Sequence, residues 1–427
     1  MIPAQFSGTE RDDVLPSGPW ELRLVARQLW SPLIDSGCYR VGLNTHREPG
    51  WEVVRRFVVT PSARVPRLLV GITEPRSMAR ALRSYGGIRT SRQRFGRLTT
   101  AAAARLGLSR RGDMLTLEQR VGTRPVGVEC LTFLEQELDE SLNAIIGIRT
   151  GANSKATLQL FSAGGEPFGY AKIAWNGITQ GYVDRESEVL LELDGKAGQL
   201  RVPAVLASGS MGEWSYLVTQ PLPPDVTTLP PQRTLSVGEF ASVAPLRRFD
   251  RLETSRHFLA LEGRIGKGGT PATGDDLTGQ MRQLTTALRS RGLRIPLATR
   301  WHGDLVPWNA AGAGNGTLWV WDWEMCEEDA AVGLDVLHWS VNRQRDQTPD
   351  NAPIALLAAA RLAAPVLQAL GLGRPQRRAV SALYALVLAE RSVRLAQEHS
   401  GWHYNRLQPA VVSELLRVGR QLANESG

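Results

Sequence analysis

Three oxygen-bearing side chains in the later part of the chain could together hold a metal ion. Asp304 and Asn309 stand five positions apart in the segment WHGDLVPWN, and Pro307 between them rules out a regular helix. Asp322 follows the apolar run LWVW, which is typical of a strand, so its carboxylate is expected where that strand ends. Carboxylate and amide oxygens suit Mg²⁺, which takes few protein ligands and completes its shell with phosphate oxygens.

Phosphoryl transfer would also need a lysine at the phosphates and a glutamate to hold that lysine. The chain has only four lysines, and Lys172 lies in the predicted strand GYAKIAW, upstream of a helix predicted at 184–193. A charge among the apolar positions of a strand needs a partner if it is buried. We expect Glu186 to be that partner, with Glu188 as the substitute. The alternative is an ordinary surface ion pair.

The order and spacing of these residues resemble the motif pattern of a known family. The pattern His302-Gly-Asp304-x-x-Pro-x-Asn309, followed by Asp322-Trp-Glu, is similar to the catalytic core of the aminoglycoside phosphotransferase and choline kinase-like family, a small-molecule branch of the protein-kinase-like fold. The resemblance extends upstream to the lysine, to the glutamate-leucine-leucine spacing that follows it and to a hinge-like segment, and downstream to a later aspartate. These matches are Lys172, Glu186 with Leu190 and Leu193, YLVTQ at 216–220, and Asp335.

The resemblance implies a role for each matched residue. Asp304 would be the catalytic base and His302 a structural residue of its loop, with Asp335 bracing that loop. The magnesium ligands would be Asn309 and Asp322, and the residues that bind the cofactor ATP would be Lys172, Glu186 and Gln220. Two features depart from the family pattern: the phosphate-covering turn GANSK has a single glycine, and Gln220 stands where an acidic residue is common. His338 and Trp339 are expected to serve in helix or core packing.

The fold class expected is α+β, a bilobal protein-kinase-like fold with a sheet-rich N-lobe, a helical C-lobe and an extra N-terminal region. Residues 1–135 would form the extension, 136–220 the nucleotide-binding lobe and 221–427 the catalytic and acceptor-binding lobe. A run of prolines at 221–231 predicts a linker between the two lobes, because prolines are excluded from helix interiors and central strands. Strands are predicted at 51–60, 67–72, 142–150, 156–162, 168–175 and 215–219, and the remainder of 1–75 is predicted as loops. Helices are predicted at 77–85, 184–193, 237–249, 276–290, 354–370, 376–398 and 408–424.

Composition and charge indicate the class of protein, its location and the kinds of partner to expect. The 427 residues are 42% hydrophobic and 22% charged, as in ordinary soluble proteins, and no run of 18 apolar residues lacks a charge, so no membrane span is expected. The N-terminus has no secretory signal pattern, and three scattered cysteines favour reduced thiols and a cytoplasmic location. The net charge is +8, and residues 76–111 hold ten arginines and no acidic residue. That stretch is either a solvated basic face or a site for an anionic partner, and with few interleaved aromatics it favours no specific nucleic acid.

The sequence therefore predicts an ATP-dependent, magnesium-dependent kinase acting on a hydroxyl of a small molecule, such as a sugar, an aminoglycoside-like compound or an amino alcohol. Three other functional hypotheses stay open. The chain could be an inactive kinase-like protein that binds nucleotide or serves as a scaffold. It could be a metal-dependent phosphoesterase using His302, Asp304, Asp322 and Asp335. It could be a protein kinase, although Asp335 follows Asp322 by only thirteen positions.

Overall fold

The structure is a computed structural model in which the chain forms two compact units. Unit 1 is Met1–Asp194 with Pro203–Thr227, and unit 2 is Gly195–Val202 with Thr228–Gly427. The first is rich in sheet and the second in helix, so the predicted α+β class is confirmed. The residues described are 18–45, 48–86, 98, 101–106, 112–124, 127–151, 154–196, 198–230, 232–267, 276–344, 352–399, 401–403 and 405–424.

Unit 1 is built on one antiparallel sheet of nine strands. The strands are β1 (Tyr39–Leu43), β2 (Trp51–Ser62), β3 (Val65–Gly71), β4 (Met114–Arg120), β5 (Leu142–Gly147), β6 (Thr157–Ser162), β7 (Pro167–Ile173), β9 (Val205–Met211) and β10 (Trp214–Thr219), while β8 belongs to unit 2. Their order is β1-β4-β2-β3-β5-β6-β7-β10-β9. The sheet therefore runs on across residue 135, since β3 of the predicted extension pairs with β5 of the predicted nucleotide-binding lobe.

Alternating side chains give this sheet two buried faces. Leu69 packs into one core together with the helices α1 (Trp20–Asp35) and α3 (Cys130–Leu138). Its neighbours Leu68 and Val70 point the other way, into a second core under α2 (Pro75–Ser84). Because the successive side chains Leu68, Leu69 and Val70 of β3 point to opposite faces and are all apolar, both faces of the sheet are covered by a core.

Helix α1 overturns the prediction that residues 1–75 hold only loops and short strands. Its buried positions include Leu22, Val25, Leu29 and Leu33, which repeat at three- and four-residue intervals. Pro32 lies inside the helix, where it removes one backbone donor without ending it. The apolar face of α1 gains enough from packing on the sheet to outweigh that local cost.

Unit 2 is mainly helical, with short strands that connect the helices. Its helices are α5 (Val237–Val243), α6 (Arg256–Lys267), α7 (Leu277–Ser290), α8 (Leu334–Gln344), α9 (Ala352–Ala369), α10 (Arg374–Glu398) and α11 (Pro409–Asn424). Its strands are β8 (Leu200–Arg201), β11 (Thr227–Thr228, at the unit boundary), β12 (Leu246–Arg251), β13 (Arg294–Ala298), β14 (Arg300–Trp301), β15 (Ala310–Gly312), β16 (Leu318–Val320) and β17 (Glu327–Glu328). Helix α10 forms the centre of the core, with Leu383, Tyr384 and Leu386 fully buried.

The helix predicted at 237–249 is only half correct. Helix α5 ends at Val243, and residues 246–251 form β12, which pairs antiparallel with β13. Pro245 explains the break, because the residue before a proline is disfavoured in the helical conformation. The predicted helices at 276–290, 354–370, 376–398 and 408–424 correspond to α7, α9, α10 and α11 within two residues at each end.

Two surface features bear on partners. Among the described helices, α9 alone is long and apolar enough to cross a membrane, a test that helices in soluble cores also pass. Much of the arginine-rich stretch, residues 87–97, 99–100 and 107–111, lies outside the described residues. Within its described part, Arg80 of α2 forms an exposed ion pair with Glu166 at 2.8 Å.

Candidate functional site

The predicted lysine–glutamate pair forms inside unit 1. Lys172 lies on β7, and its Nζ stands 2.7 Å and 2.5 Å from the two carboxylate oxygens of Glu186. Glu186 belongs to α4 (Gly177–Leu193), a helix that begins seven residues earlier than predicted because Asn176 and Thr179 form a capping box. The side chains are 17% and 4% exposed, so this is not an ordinary surface pair. Glu188 is 67% exposed and contacts Arg185 instead.

Gln220 follows the strand adjacent to that lysine. Strand β10 pairs with β7, with Leu217 opposite Lys172, and Gln220 comes directly after β10 ends. Its backbone N–H donates to the carbonyl oxygen of Ala204 at 2.8 Å, and its side chain is exposed. Unit 1 therefore places a cationic side chain on β7 and an exposed amide side chain directly after the neighbouring strand β10.

The loop that carries Asp304 is held by a buried carboxylate from α8. Asp335 accepts hydrogen bonds from the backbone N–H of His302 at 3.0 Å and of Gly303 at 3.4 Å. Burial raises the pKa of Asp335 to about 6, and the two backbone donors partly oppose that rise. On the other side, Arg391 of α10 donates to the carbonyl oxygen of Gly303 at 2.6 Å. The predicted brace is thus present in the structure.

His302 fixes the loop through both ring nitrogens. Its Nδ1 accepts the backbone N–H of Asp304 at 3.1 Å, so Nε2 must carry the proton, and it donates to the carbonyl oxygen of Trp321 at 3.1 Å. The ring is fully buried, and burial lowers the pKa of His302 to about 4, which keeps it neutral at pH 7. This arrangement ties the Asp304 loop to the residue just before Asp322.

Asp304 and Asn309 are direct neighbours, as their spacing predicted. The Asn309 amide nitrogen stands 3.1 Å from both the carbonyl oxygen and the Oδ2 of Asp304. Pro307 starts a single 3-10 turn at Pro307–Asn309, which brings the amide back over the aspartate. Because these donations use the amide nitrogen, the side-chain Oδ1 of Asn309 keeps its capacity to accept or to bind a cation.

Asp322 stands where β16 ends, in a conformation that few residue types adopt. Its φ is 69° and its ψ is 52°, in the left-handed region, where aspartate and asparagine are among the better tolerated side chains. The preceding residue, Trp321, donates its backbone N–H to the carbonyl oxygen of Asn309 at 3.1 Å. The loop of Asp304 and the turn of Asp322 are therefore joined by this backbone hydrogen bond and by the bond from the His302 ring to Trp321.

The donors in this part of unit 2 fit the predicted magnesium ion. The oxygen of the Asn309 amide and the half-buried carboxylate of Asp322 are hard ligands, and no sulfur or imidazole competes in this pair. Magnesium keeps most of its shell for water and phosphate oxygens, so two protein ligands are sufficient.

One residue at the site was assigned to packing from the sequence. The Nε2 of His338 lies 3.1 Å from Oδ1 of Asp304, and its Nδ1 lies 2.9 Å from the Tyr384 hydroxyl. The signal was its position on α8, three residues after Asp335, because residues i and i+3 of a helix share a face. A helix that presents Asp335 to the loop therefore presents His338 to it as well.

The phosphoesterase reading loses two of its four ligands in this geometry. His302 has both ring nitrogens bonded to backbone groups, and the carboxylate of Asp335 accepts from two backbone donors and is 2% exposed. Neither side chain can turn to a metal ion without breaking the loop. The protein-kinase hypothesis is also unfavourable, since a 3-10 turn, β17 and the start of α8 occupy half of the short segment 322–335.

Comparison with known proteins gives matches in structure alone. No protein-family model and no curated protein sequence matches the chain. Among solved structures, it is similar to LicA in complex with AMP, with 13% identity over 70% of this chain and 100% of that one and a TM-score of 0.42. It is also similar to choline kinase LicA from Streptococcus pneumoniae, with 12% identity over 68% of this chain and 98% of that one and a TM-score of 0.38. At these scores the geometry above, and not the likeness, has to carry any functional argument.

Proposed function

We propose that the chain is an ATP-dependent phosphotransferase that moves the γ-phosphate of ATP to a hydroxyl of a small molecule, such as a sugar, an aminoglycoside-like compound or an amino alcohol. The observation that carries the proposal is the pairing of Asp304 with Asn309 on a loop that one backbone hydrogen bond and the His302 ring tie to the turn of Asp322. Phosphoryl transfer depends on such positioning, since it needs one proton acceptor and a fixed set of charges around the phosphates.

In this proposal Asp304 is the general base. Its side chain is 40% exposed, and each carboxylate oxygen keeps lone-pair capacity after its hydrogen bond to Asn309 or His338. The acceptor hydroxyl gives its proton to Asp304 while its oxygen bonds to the γ-phosphorus. The bond between that phosphorus and the β–γ bridging oxygen breaks, and ADP leaves.

Magnesium, when bound by Asn309 and Asp322, would neutralise charge on the phosphates. Lys172 is proposed to bind the α- and β-phosphates, with Glu186 fixing its ammonium group, and Gln220 to stand beside the adenine. Residues 136–220 would then serve nucleotide binding, and residues 221–427 catalysis and acceptor binding. The role of residues 1–135 in this scheme is to complete the sheet that carries Lys172, since their strands extend it without a break.

Calorimetric titration of MgATP into the wild type and into Asp322→Asn tests the proposal. Asparagine tolerates the left-handed conformation at this position, so the variant removes the charge without the backbone cost that alanine would add. We expect affinity for MgATP to fall at least about tenfold, since even outer-sphere partners of a metal are worth that much. Glu414→Gln removes one exposed carboxylate from α11 of the same unit and should bind like the wild type. A well-folded wild type that binds no nucleotide would sink the proposal.

The base is tested separately by Asp304→Asn. ADP release from MgATP would first be screened with hydroxyl compounds of the three acceptor classes. With the best acceptor, kcat should fall about 10²- to 10⁴-fold, the usual contribution of a general base, while affinity for MgATP stays near that of the wild type. An unchanged kcat would remove Asp304 from the chemistry and would mean that another group takes the proton of the acceptor hydroxyl.

A further inference from the structure

A second set of contacts reaches Asp304 from the helical core. His338 on α8 contacts Oδ1 of Asp304, and behind it the hydroxyl of Tyr384 on α10 contacts the other ring nitrogen. The rings of His338 and Tyr384 meet edge to face, with centroids 5.9 Å apart and planes at 75°. Their side chains are nearly or fully buried, so few other positions are open to them.

The chemistry of the partners fixes the direction of these hydrogen bonds. An ionised carboxylate only accepts, so the Nε2 of His338 must carry the proton that it shares with Asp304. The Nδ1 of a neutral ring is then an acceptor, and the Tyr384 hydroxyl is the group that donates to it. Burial raises the pKa of Tyr384, so this hydroxyl keeps its proton at neutral pH. The chain of donation runs from Tyr384 to His338 to Asp304.

The two oxygens of Asp304 are thereby held from two different elements. Asn309, in the 3-10 turn, donates to Oδ2, and His338, on α8, donates to Oδ1. One hydrogen bond to each oxygen fixes the plane of the carboxylate, whereas either bond alone would leave it free to rotate. The remaining lone pairs stay available on the exposed side of Asp304.

We propose that His338, supported by Tyr384, is a positioning residue that sets the orientation in which Asp304 meets the acceptor hydroxyl. This inference rests on the proposed phosphotransferase function. A positioning role differs from a packing role in what it changes, since a misdirected base lowers kcat without altering the binding of MgATP or the stability of the fold. Packing alone would change stability and leave kcat in place.

The test compares four variants by ADP release from MgATP, with water and then with a hexose, an aminoglycoside and choline as acceptors. His338→Leu keeps the side-chain volume and removes the donor, and kcat should fall about 10- to 100-fold, as small misplacements of reacting groups do. His338→Gln restores an N–H donor and should recover part of that loss. Tyr384→Phe leaves the contact with Asp304 and should lower kcat less than His338→Leu. His257→Leu is the matched control, because it replaces another fully buried histidine of unit 2 that does not touch Asp304.

Calorimetry with MgATP and urea unfolding on the same variants separate the outcomes. The proposal requires that His338→Leu bind MgATP within about twofold of the wild type and remain folded under the assay conditions while kcat drops. If kcat of His338→Leu stays within twofold of the wild type, or if His338→Gln is no better than His338→Leu, His338 is a packing residue and the proposal is overturned. A wild type that binds no MgATP or releases no ADP would instead overturn the phosphotransferase function, and this inference with it.

Discussion

Glu186 is a carboxylate that the fold can bury only with a partner. It is 3% exposed on α4, and the ammonium group of Lys172 contacts both of its oxygens. Bringing a charge out of water costs several kcal/mol, so a pair of this kind is weak evidence for stability by itself. A buried ion pair between β7 and α4 is better explained by a ligand that Lys172 binds than by stability.

Removing the pair in two steps distinguishes those roles. Lys172→Met leaves Glu186 buried and unpaired, and the unfolding free energy should fall on the order of 3 kcal/mol. The double variant Lys172→Met with Glu186→Leu places two apolar side chains there, and urea unfolding should show most of that stability restored. Affinity for MgATP, measured by calorimetry, should be lost in both.

Lys196→Met, at an exposed lysine, is the matched control and should change neither quantity. Recovery of MgATP binding in the double variant would contradict a phosphate-binding role and leave the pair as a structural ion pair.

The residues at the site differ in how far spacing alone could find them. Asp304, Asn309 and Asp322 lie within nineteen positions, and a proline and a strand end constrain their directions, so their grouping was predictable. The contact of His338 with Asp304 was not, because it depends on how α8 packs against the loop. Tyr384 lies 46 residues further on, and only the folded core brings it to that histidine.

At the scale of elements, the Asp304 loop depends on one glycine. Gly303 has φ +85°, and a Cβ at this position would overlap the backbone carbonyl of Met325. The loop can therefore pass close to the turn after Asp322 only with glycine here. Glycine is required at position 303 because the backbone of Met325 lies too close for a side chain, and not because the loop must be flexible.

Gly303→Ala and Gly316→Ala isolate that close approach. Gly316 has nearly the same φ, +84°, but a Cβ there would meet nothing within 4 Å. Gly316→Ala should therefore cost only the left-handed penalty of about 1–2 kcal/mol and keep its kcat. Gly303→Ala should lose more stability in urea unfolding and lower kcat in the ADP-release assay, because its loop must move. Equal losses of stability in the two variants would show that the contact with Met325 is unimportant.

Elements were predictable where local pattern and tertiary packing agree. The strands at 51–60, 156–162 and 215–219 and the helices α7, α9, α10 and α11 follow their apolar period and appear within a few residues of the predicted bounds. Helix α1 and the strand β12 were missed because the deciding interactions are non-local. The first packs on a sheet built from later strands, and the second pairs with β13, which lies more than forty residues away.

For the whole molecule, buried titratable groups make stability depend on pH. Burial lowers the pKa of His257 to about 4, and the pKa of His302 is likewise about 4. These rings favour the folded state fully above pH 6.5, their unfolded pKa, and that contribution is lost as pH falls through about 4. Asp335 acts oppositely, because its pKa of about 6 lies above the unfolded value. Its contribution is present below about pH 4 and is lost as pH rises through 6.

Between pH 6.5 and 5, unfolding therefore takes up about two protons at the histidines and releases about one from the aspartate. The net uptake is about one proton, so the unfolding free energy should fall by up to about 1.4 kcal/mol per pH unit on acidification. His257→Leu removes one of those protons from a ring whose nitrogens have no hydrogen-bond partner among the described residues, so His302 and Asp335 then nearly cancel. Urea unfolding at pH 6.5, 6 and 5 should show a shallower decline of stability in this variant than in the wild type. His403→Leu removes an exposed histidine and should keep the wild-type slope. An unchanged slope in His257→Leu would mean that this ring is protonated in the folded protein, which would require the neighbouring carboxylate of Glu327, 3.7 Å away, to outweigh the cost of burial.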